Sequence, residues 1–233
     1  MNRPFKQTGL LSAAATILRK DLRLELRSFE TITATAIFTV ATFIVFHFAF
    51  DRDELEGDLA SGAFWVTILF ASSLTINRLL ANERNQGGYE SLLLAPIDRN
   101  SILLAKFAFL FIMLSLLEVF ALLTFALLLL QPGLTVEMAP LIAVLLLANV
   151  GIGAIGTLVS ALATDTTQRE LLVPLMTLPL FTPLLIGASR ATAPLMEVAA
   201  HTEDFGRWIG LMALYASVFL LLAFAVFDFI LED

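Results

Sequence analysis

The chain has no cysteine. Disulfides, thiolate metal sites and a cysteine nucleophile are therefore excluded. Imidazole is nearly as scarce, with His47 and His201 making up the whole inventory of 2. No G-x-x-x-x-G-K-[ST] stretch offers its backbone to nucleotide phosphates. Histidine and carboxylate do not recur at metal-ligand spacing, and no serine–histidine–acid set can be assembled. No catalytic residue is nominated, and the chain is expected not to be an enzyme by itself; if ATP drives it, another chain hydrolyses the ATP. Charge is also short: 15 % of the 233 residues are charged, against about 25 % in an ordinary soluble domain. The first thirty residues are polar and basic without an apolar core region, so no cleavable signal is expected. No nucleic-acid partner is expected.

Apolar residues fill the space that charge leaves. They make up 58 % of the chain and mean hydropathy is +0.87, whereas soluble domains hold roughly 45–50 %. Such an excess needs a second apolar solvent, the lipid bilayer. Six apolar stretches, near residues 31–50, 61–80, 106–130, 140–163, 171–189 and 208–228, each approach the roughly 20 residues that span a bilayer as a helix. Short joins make neighbouring spans antiparallel, and no internal repeat or second domain is evident. The expected fold is all-α: one polytopic membrane domain over residues 1–233. Ahead of the spans, residues 9–29 read as an amphipathic helix. Leu11, Ala15, Leu18, Leu22, Leu26 and Phe29 recur at steps of three and four, with Arg19, Lys20, Arg23 and Arg27 off that stripe. This helix is expected in the interface plane, its basic residues among headgroups.

Lys and Arg set the expected orientation. The N-terminal residues Arg3, Lys6, Arg19, Lys20, Arg23 and Arg27, the second-to-third-span connection with Arg78, Arg84, Arg99 and Lys106, and Arg169 fall on one side. Arg52, Arg190 and Arg207 fall on the other. Both termini are therefore expected in the cytoplasm, together with the insert of residues 83–105, which Lys106 closes. Gly87 and Gly88 break the helix entering that insert, and Pro96 limits a short helix from Tyr89 to Ala95. Tyr89, Leu92 and Leu93 share one face of it. Asp98, Arg99, Asn100 and Ser101 are suited to cap the next helix. A short amphipathic helix between two spans has no lipid face to fill, so its apolar face calls for a soluble partner; an ordinary polar loop is the alternative.

Three features stand out inside the spans. The fourth span gathers Asn149, Gly151, Gly153, Gly156 and Ser160, small residues that let helix backbones approach in lipid, within one chain or at a subunit interface. The fifth holds Pro174, Pro179 and Pro183, and a kinked or locally unwound segment is expected, with an outer segment from Gly187 to Trp208. Glu118 lies mid-span, where an ionisable side chain must face the protein interior, as a neutral hydrogen-bonded strut or a functional group. His47 and His201 lie towards the outer side and are weak candidates for an axial haem ligand or a metal ligand.

The stretch ERNQGGYESLLLAPIDR from Glu83 to Arg99, the proline-punctuated LLVPLMTLPLFTPLLIGA from Leu171 to Ala188, and the order of segments resemble ABC-2-type permeases. More specifically they are similar to the haem exporter protein B family, the membrane subunit of the cytochrome c maturation ABC transporter. The resemblance implies a non-catalytic subunit of the bacterial cytoplasmic (inner) membrane. Its partners would be a separate ATP-binding subunit, a multi-span subunit that handles haem, and a small single-span subunit. ATP would be bound by the partner, with haem as cargo of the complex and no cofactor resident on this chain. Docking would fall on Glu83, Arg84, Tyr89, Glu90, Leu92, Leu93, Pro96 and Arg99, with Gly151, Gly153, Gly156, Pro174, Pro179 and Pro183 serving packing or conformational change. Two readings compete: a permease exporting a lipid, glycan or drug, and a proton-linked secondary transporter using Glu118. A structural scaffold is a third.

Overall fold

The computed structural model describes residues 9–50, 55–85, 98–130, 137–163, 169–197 and 204–230. Among them the helices run in the order α1 (Leu10–Ser28), α2 (Glu30–Ala49), α3 (Gly57–Asn85), α4 (Arg99–Leu128), α5 (Met138–Leu162), α6 (Arg169–Thr192) with a 3-10 turn at Ala193–Met196, and α7 (Phe205–Ile230). The 6 helices α2 to α7 are long and apolar enough to cross a membrane. The described fold is thus an all-α polytopic bundle with an additional amphipathic helix. Apart from an isolated bridge between Leu55 and Leu130, the described backbone pairs only within helices, caps and turns, as lipid demands.

Two helices overrun the hydrocarbon. With 29 and 30 residues, α3 and α4 are about 44 and 45 Å long at about 1.5 Å per residue, against about 30 Å of acyl core. The helices therefore extend beyond the expected spans 61–80 and 106–130 at the ends flanking the insert. Hydropathy falls where lipid ends, but a helix continues until something caps it. For α4 that cap is Asp98, whose carboxylate accepts the Asn100 N–H at 2.9 Å, as the Asp98–Ser101 cluster suggested.

The interior is built around α3 and α5, the most enclosed spans, while α2 and α7 leave most of their surface outward. α5 packs against α4, α6 and α7. Phe43, Phe64, Trp65 and Phe125, all buried, bring α2, α3 and α4 together. Their rings meet edge to face at 5.3 to 5.6 Å, the offset geometry that aromatic quadrupoles prefer. α3 and α6 meet along a polar seam: Arg190–Asp58 at 3.2 Å, the Ser61 and Ser189 hydroxyls at 3.0 Å, and Trp65 Nε1 donating to Thr192 Oγ1 at 2.9 Å.

α6 departs from expectation. Of the kinked or locally unwound segment expected there, the unwound form is not observed, because one α-helix runs through Pro174, Pro179 and Pro183, and it continues through Thr192 into the outer segment expected from Gly187. The prolines sit off the buried stripe of Val173, Thr177, Phe181, Leu184 and Ala188, with Pro179 and Pro183 exposed. Hydroxyls gather on nearby carbonyls: Thr177 on Val173 at 2.8 Å, Thr182 on Leu178 at 2.8 Å, and Tyr215 of α7 on Leu180 at 2.8 Å. None of these three carbonyls is one that a proline frees, since Pro174, Pro179 and Pro183 leave the carbonyls of Glu170, Leu175 and Pro179 without their ladder donors. Beyond Ala188 the side chains of Ser189, Ala191 and Thr192 pack on α3 or are buried, which extends the helix past the apolar run.

Candidate functional site

The insert is described at its two roots. Glu83 and Arg84 lie in the last turns of α3, their side chains outside the described set; Tyr89, Glu90, Leu92, Leu93 and Pro96 lie outside the described residues altogether. Arg99 is the first residue of α4 and is half-buried. Both roots are helices that continue without a break into the bundle.

Around those roots, α1 and α2 form a frame of charged contacts. Phe29, in the left-handed region at φ 49°, turns the chain from α1 into α2, and its N–H bonds to the Glu25 carbonyl at 2.7 Å. Glu25 is buried, and its carboxylate reaches over the start of α2. It accepts the Thr31 N–H at 2.9 Å, the Ile32 N–H at 3.1 Å and the Thr31 hydroxyl at 2.9 Å. The two N–H groups are first-turn donors of α2 without an intrahelical partner, and the positive end of the helix dipole favours the carboxylate there. Glu30, at the head of α2, pairs with Arg78 of α3 at 3.4 Å. Asp21 of α1 pairs with Lys106 of α4 at 2.7 Å, with both side chains about nine-tenths buried. Beside this pair, Ala14 and Ile17 of α1 join an apolar cluster with Ile102, Leu103 and Ala105 of α4, Leu158 and Ala161 of α5 and Ala223 of α7. Contacts thus run from α1 to α4 directly, and from α1 through α2 to α3, so both roots of the insert are joined through one frame.

Deeper in the bundle, Glu118 of α4 is buried and its Oε2 accepts from Asn149 Nδ2 of α5 at 2.7 Å. The same amide contacts Ser115 Oγ at 3.2 Å. Glu118 Oε1 and Asn149 Oδ1 are buried without a hydrogen-bond partner. The expectation that Glu118 turns inward is met, and its partner is a residue that had been grouped with the small residues of the fourth span.

The three glycines of α5 face three neighbours. A Cβ on Gly151 would lie 2.5 Å from Leu184 of α6, on Gly153 3.2 Å from the Phe107 ring of α4, and on Gly156 2.8 Å from Ile76 of α3. Their small size therefore serves packing inside this chain. His47 is in the last turn of α2, half-buried, with Nδ1 lacking a partner; His201 lies outside the described residues. Sequence reading gave Asp21 and Glu25 no role and placed Asn149 only among the small residues of the fourth span.

Comparison with known proteins agrees with this architecture. A family model described as CcmB protein matches residues 12–230. The chain is also 30 % identical over 174 residues to a Rhodobacter capsulatus protein named Heme exporter protein B, covering 73 % of this chain and 78 % of that protein.

Proposed function

Because the chain belongs to the CcmB protein family, we propose that it is the membrane subunit of an ATP-driven complex for cytochrome c maturation, acting in haem export or in release of the haem chaperone. A separate ATP-binding subunit docks on the insert of residues 83–106, and its stroke passes through the roots of that insert into the bundle. The complex further contains a multi-span subunit that handles haem and a small single-span subunit. It lies in the bacterial cytoplasmic membrane with both termini in the cytoplasm.

The observation that carries this reading is the pair of overlong helices α3 and α4, joined through α1 and α2 by Arg78–Glu30 at 3.4 Å and Lys106–Asp21 at 2.7 Å. A force applied to the insert acts on two rigid rods and a shared frame instead of dissipating in a loose loop. A continuous buried apolar cluster joins the spans, which supports transmission over a haem pathway through this subunit. Leu93→Asp tests the docking. It is expected to weaken co-purification of the ATP-binding subunit while the membrane domain still inserts. Unchanged co-purification together with unchanged coupling of ATP turnover would remove the docking claim.

One observation favours a second reading. The Glu118–Asn149 pair, with its unpartnered oxygens, is the kind of intramembrane group that a proton-linked transporter uses. On that reading, liposomes bearing a proton gradient and no ATPase would show transport, and Glu118→Gln would abolish it.

A further inference from the structure

We propose that the outward basic face of α1 is a binding site for anionic phospholipid headgroups, held in a fixed roll by the protein. At 3.6 residues per turn, α1 presents three faces. The first carries Ala14, Ile17, Asp21 and Glu25, buried or nearly so. It is locked by the Asp21–Lys106 pair at 2.7 Å and by the Glu25 bonds to Thr31 and Ile32. The helix therefore cannot turn about its axis to choose what its other faces meet.

The second face is the apolar stripe anticipated from the sequence; Leu18 and Leu22 are half-buried against the bundle, while Leu11 is 72 % exposed, Leu26 55 % and Phe29 50 %. The third, beside it, opens a groove of about 530 Å³ lined by Thr16, Arg19, Lys20, Arg23, Leu24 and Arg27, large enough for a small ligand or a headgroup. Arg19, Arg23 and Arg27 form no ion pair with the described residues, whereas Lys20 is paired with Asp21 at 3.1 Å.

Charge complementarity and the neighbouring apolar stripe together select the occupant. A soluble acidic partner would satisfy the arginines and leave Leu11, Leu26 and Phe29 in water. An anionic leaflet serves both faces, since the apolar stripe enters the acyl boundary while the guanidinium groups meet phosphate oxygens, which they bind in a planar fork. Because the same helix is tied to Lys106 of α4, anionic lipid seated in the groove holds α1 against the frame that joins the insert roots. The site stands on α1 and its contacts with α2 and α4 and does not depend on haem being the cargo.

The absence of cysteine allows a local test. Thr16→Cys, labelled with an environment-sensitive fluorophore, places one probe at the groove in the full chain. The chain is reconstituted into phosphatidylcholine nanodiscs containing increasing phosphatidylglycerol. The probe is expected to respond saturably to phosphatidylglycerol, and each neutralised arginine should weaken the response about fivefold at low salt, from about 1 kcal/mol per basic residue at an anionic surface. The Arg19→Gln/Arg23→Gln/Arg27→Gln combination should therefore raise the half-saturating lipid fraction at least about tenfold. Arg19→Lys/Arg23→Lys/Arg27→Lys should retain the response, and Arg207→Gln at the far end of the bundle should leave it unchanged. No dependence on phosphatidylglycerol, or an equal response in the triple glutamine variant, would overturn the proposal.

Discussion

Glu25→Ala removes one side chain and leaves two backbone donors of α2 without partners in a buried corner. The carboxylate holds the Thr31 N–H at 2.9 Å, the Ile32 N–H at 3.1 Å and the Thr31 hydroxyl at 2.9 Å. Hydrogen bonds to a charged group contribute about 1.5–3 kcal/mol each in isolation, loss of a helix cap costs typically about 1 kcal/mol, and a partly buried charge at a helix end gains up to about 2 kcal/mol. These describe overlapping parts of one interaction, so they do not add. An overall loss of about 3 kcal/mol is the reasoned magnitude for alanine. Glu25→Gln keeps an acceptor for the two N–H groups and loses the charge, which should cost about 1 kcal/mol. Thr31→Val removes the hydroxyl bond alone and should also cost about 1 kcal/mol. Reversible unfolding of the detergent-solubilised chain in a denaturing-detergent titration, followed by circular dichroism, gives the ranking. The reasoning fails if alanine lies within about 0.5 kcal/mol of wild type, or if glutamine is as damaging as alanine, since neither result is compatible with a carboxylate capping α2.

Three further outcomes follow from particular contacts. Asp21→Asn should destabilise by about 1–3 kcal/mol because it leaves Lys106 without its 2.7 Å partner; adding Lys106→Met should recover part of that loss, and strict additivity in the double-mutant cycle would deny the pair any coupling. Gly156→Leu should cost about 1–3 kcal/mol by overpacking against Ile76. At Gly62, where nothing lies within 4 Å of an added Cβ, alanine should be neutral or stabilise by up to about 1 kcal/mol, so equal losses at the two sites would contradict the packing account. Replacing His47 and His201 together should leave cytochrome c maturation largely intact; abolished maturation with normal assembly would assign the histidines to a haem pathway.

Element placement was legible where hydropathy carries the signal. Residues 9–29, 31–50 and 140–163 match Leu10–Ser28, Glu30–Ala49 and Met138–Leu162 to within two residues. The rule weakens where helix and hydrocarbon part company. α3 and α4 run past the apolar stretch because a backbone stays helical until a cap intervenes, and with Asp98 as its cap α4 starts at Arg99, seven residues upstream of the start expected from hydropathy. In α6 the helix stays continuous through Pro174, Pro179 and Pro183, with the rings off the buried stripe, so of the kinked or locally unwound segment expected from three breakers the unwound form is absent. Asp21 and Glu25 were not legible as structural residues. Their partners Lys106 and Thr31 are set by tertiary packing and by the turn at Phe29, neither of which leaves a periodic trace. Glu118 was legible as an inward-facing acid because lipid excludes charge; Asn149 as its partner was not.

The most direct test of force transmission from a separate ATPase is affinity purification of the tagged full chain in mild detergent, with every co-purifying subunit identified. The account predicts recovery of one ATP-binding subunit together with unlike membrane subunits that handle haem, and loss of the ATP-binding subunit alone with Leu93→Asp. Recovery of an ATPase with only further copies of this chain, or of no ATPase even under crosslinking, would contradict it.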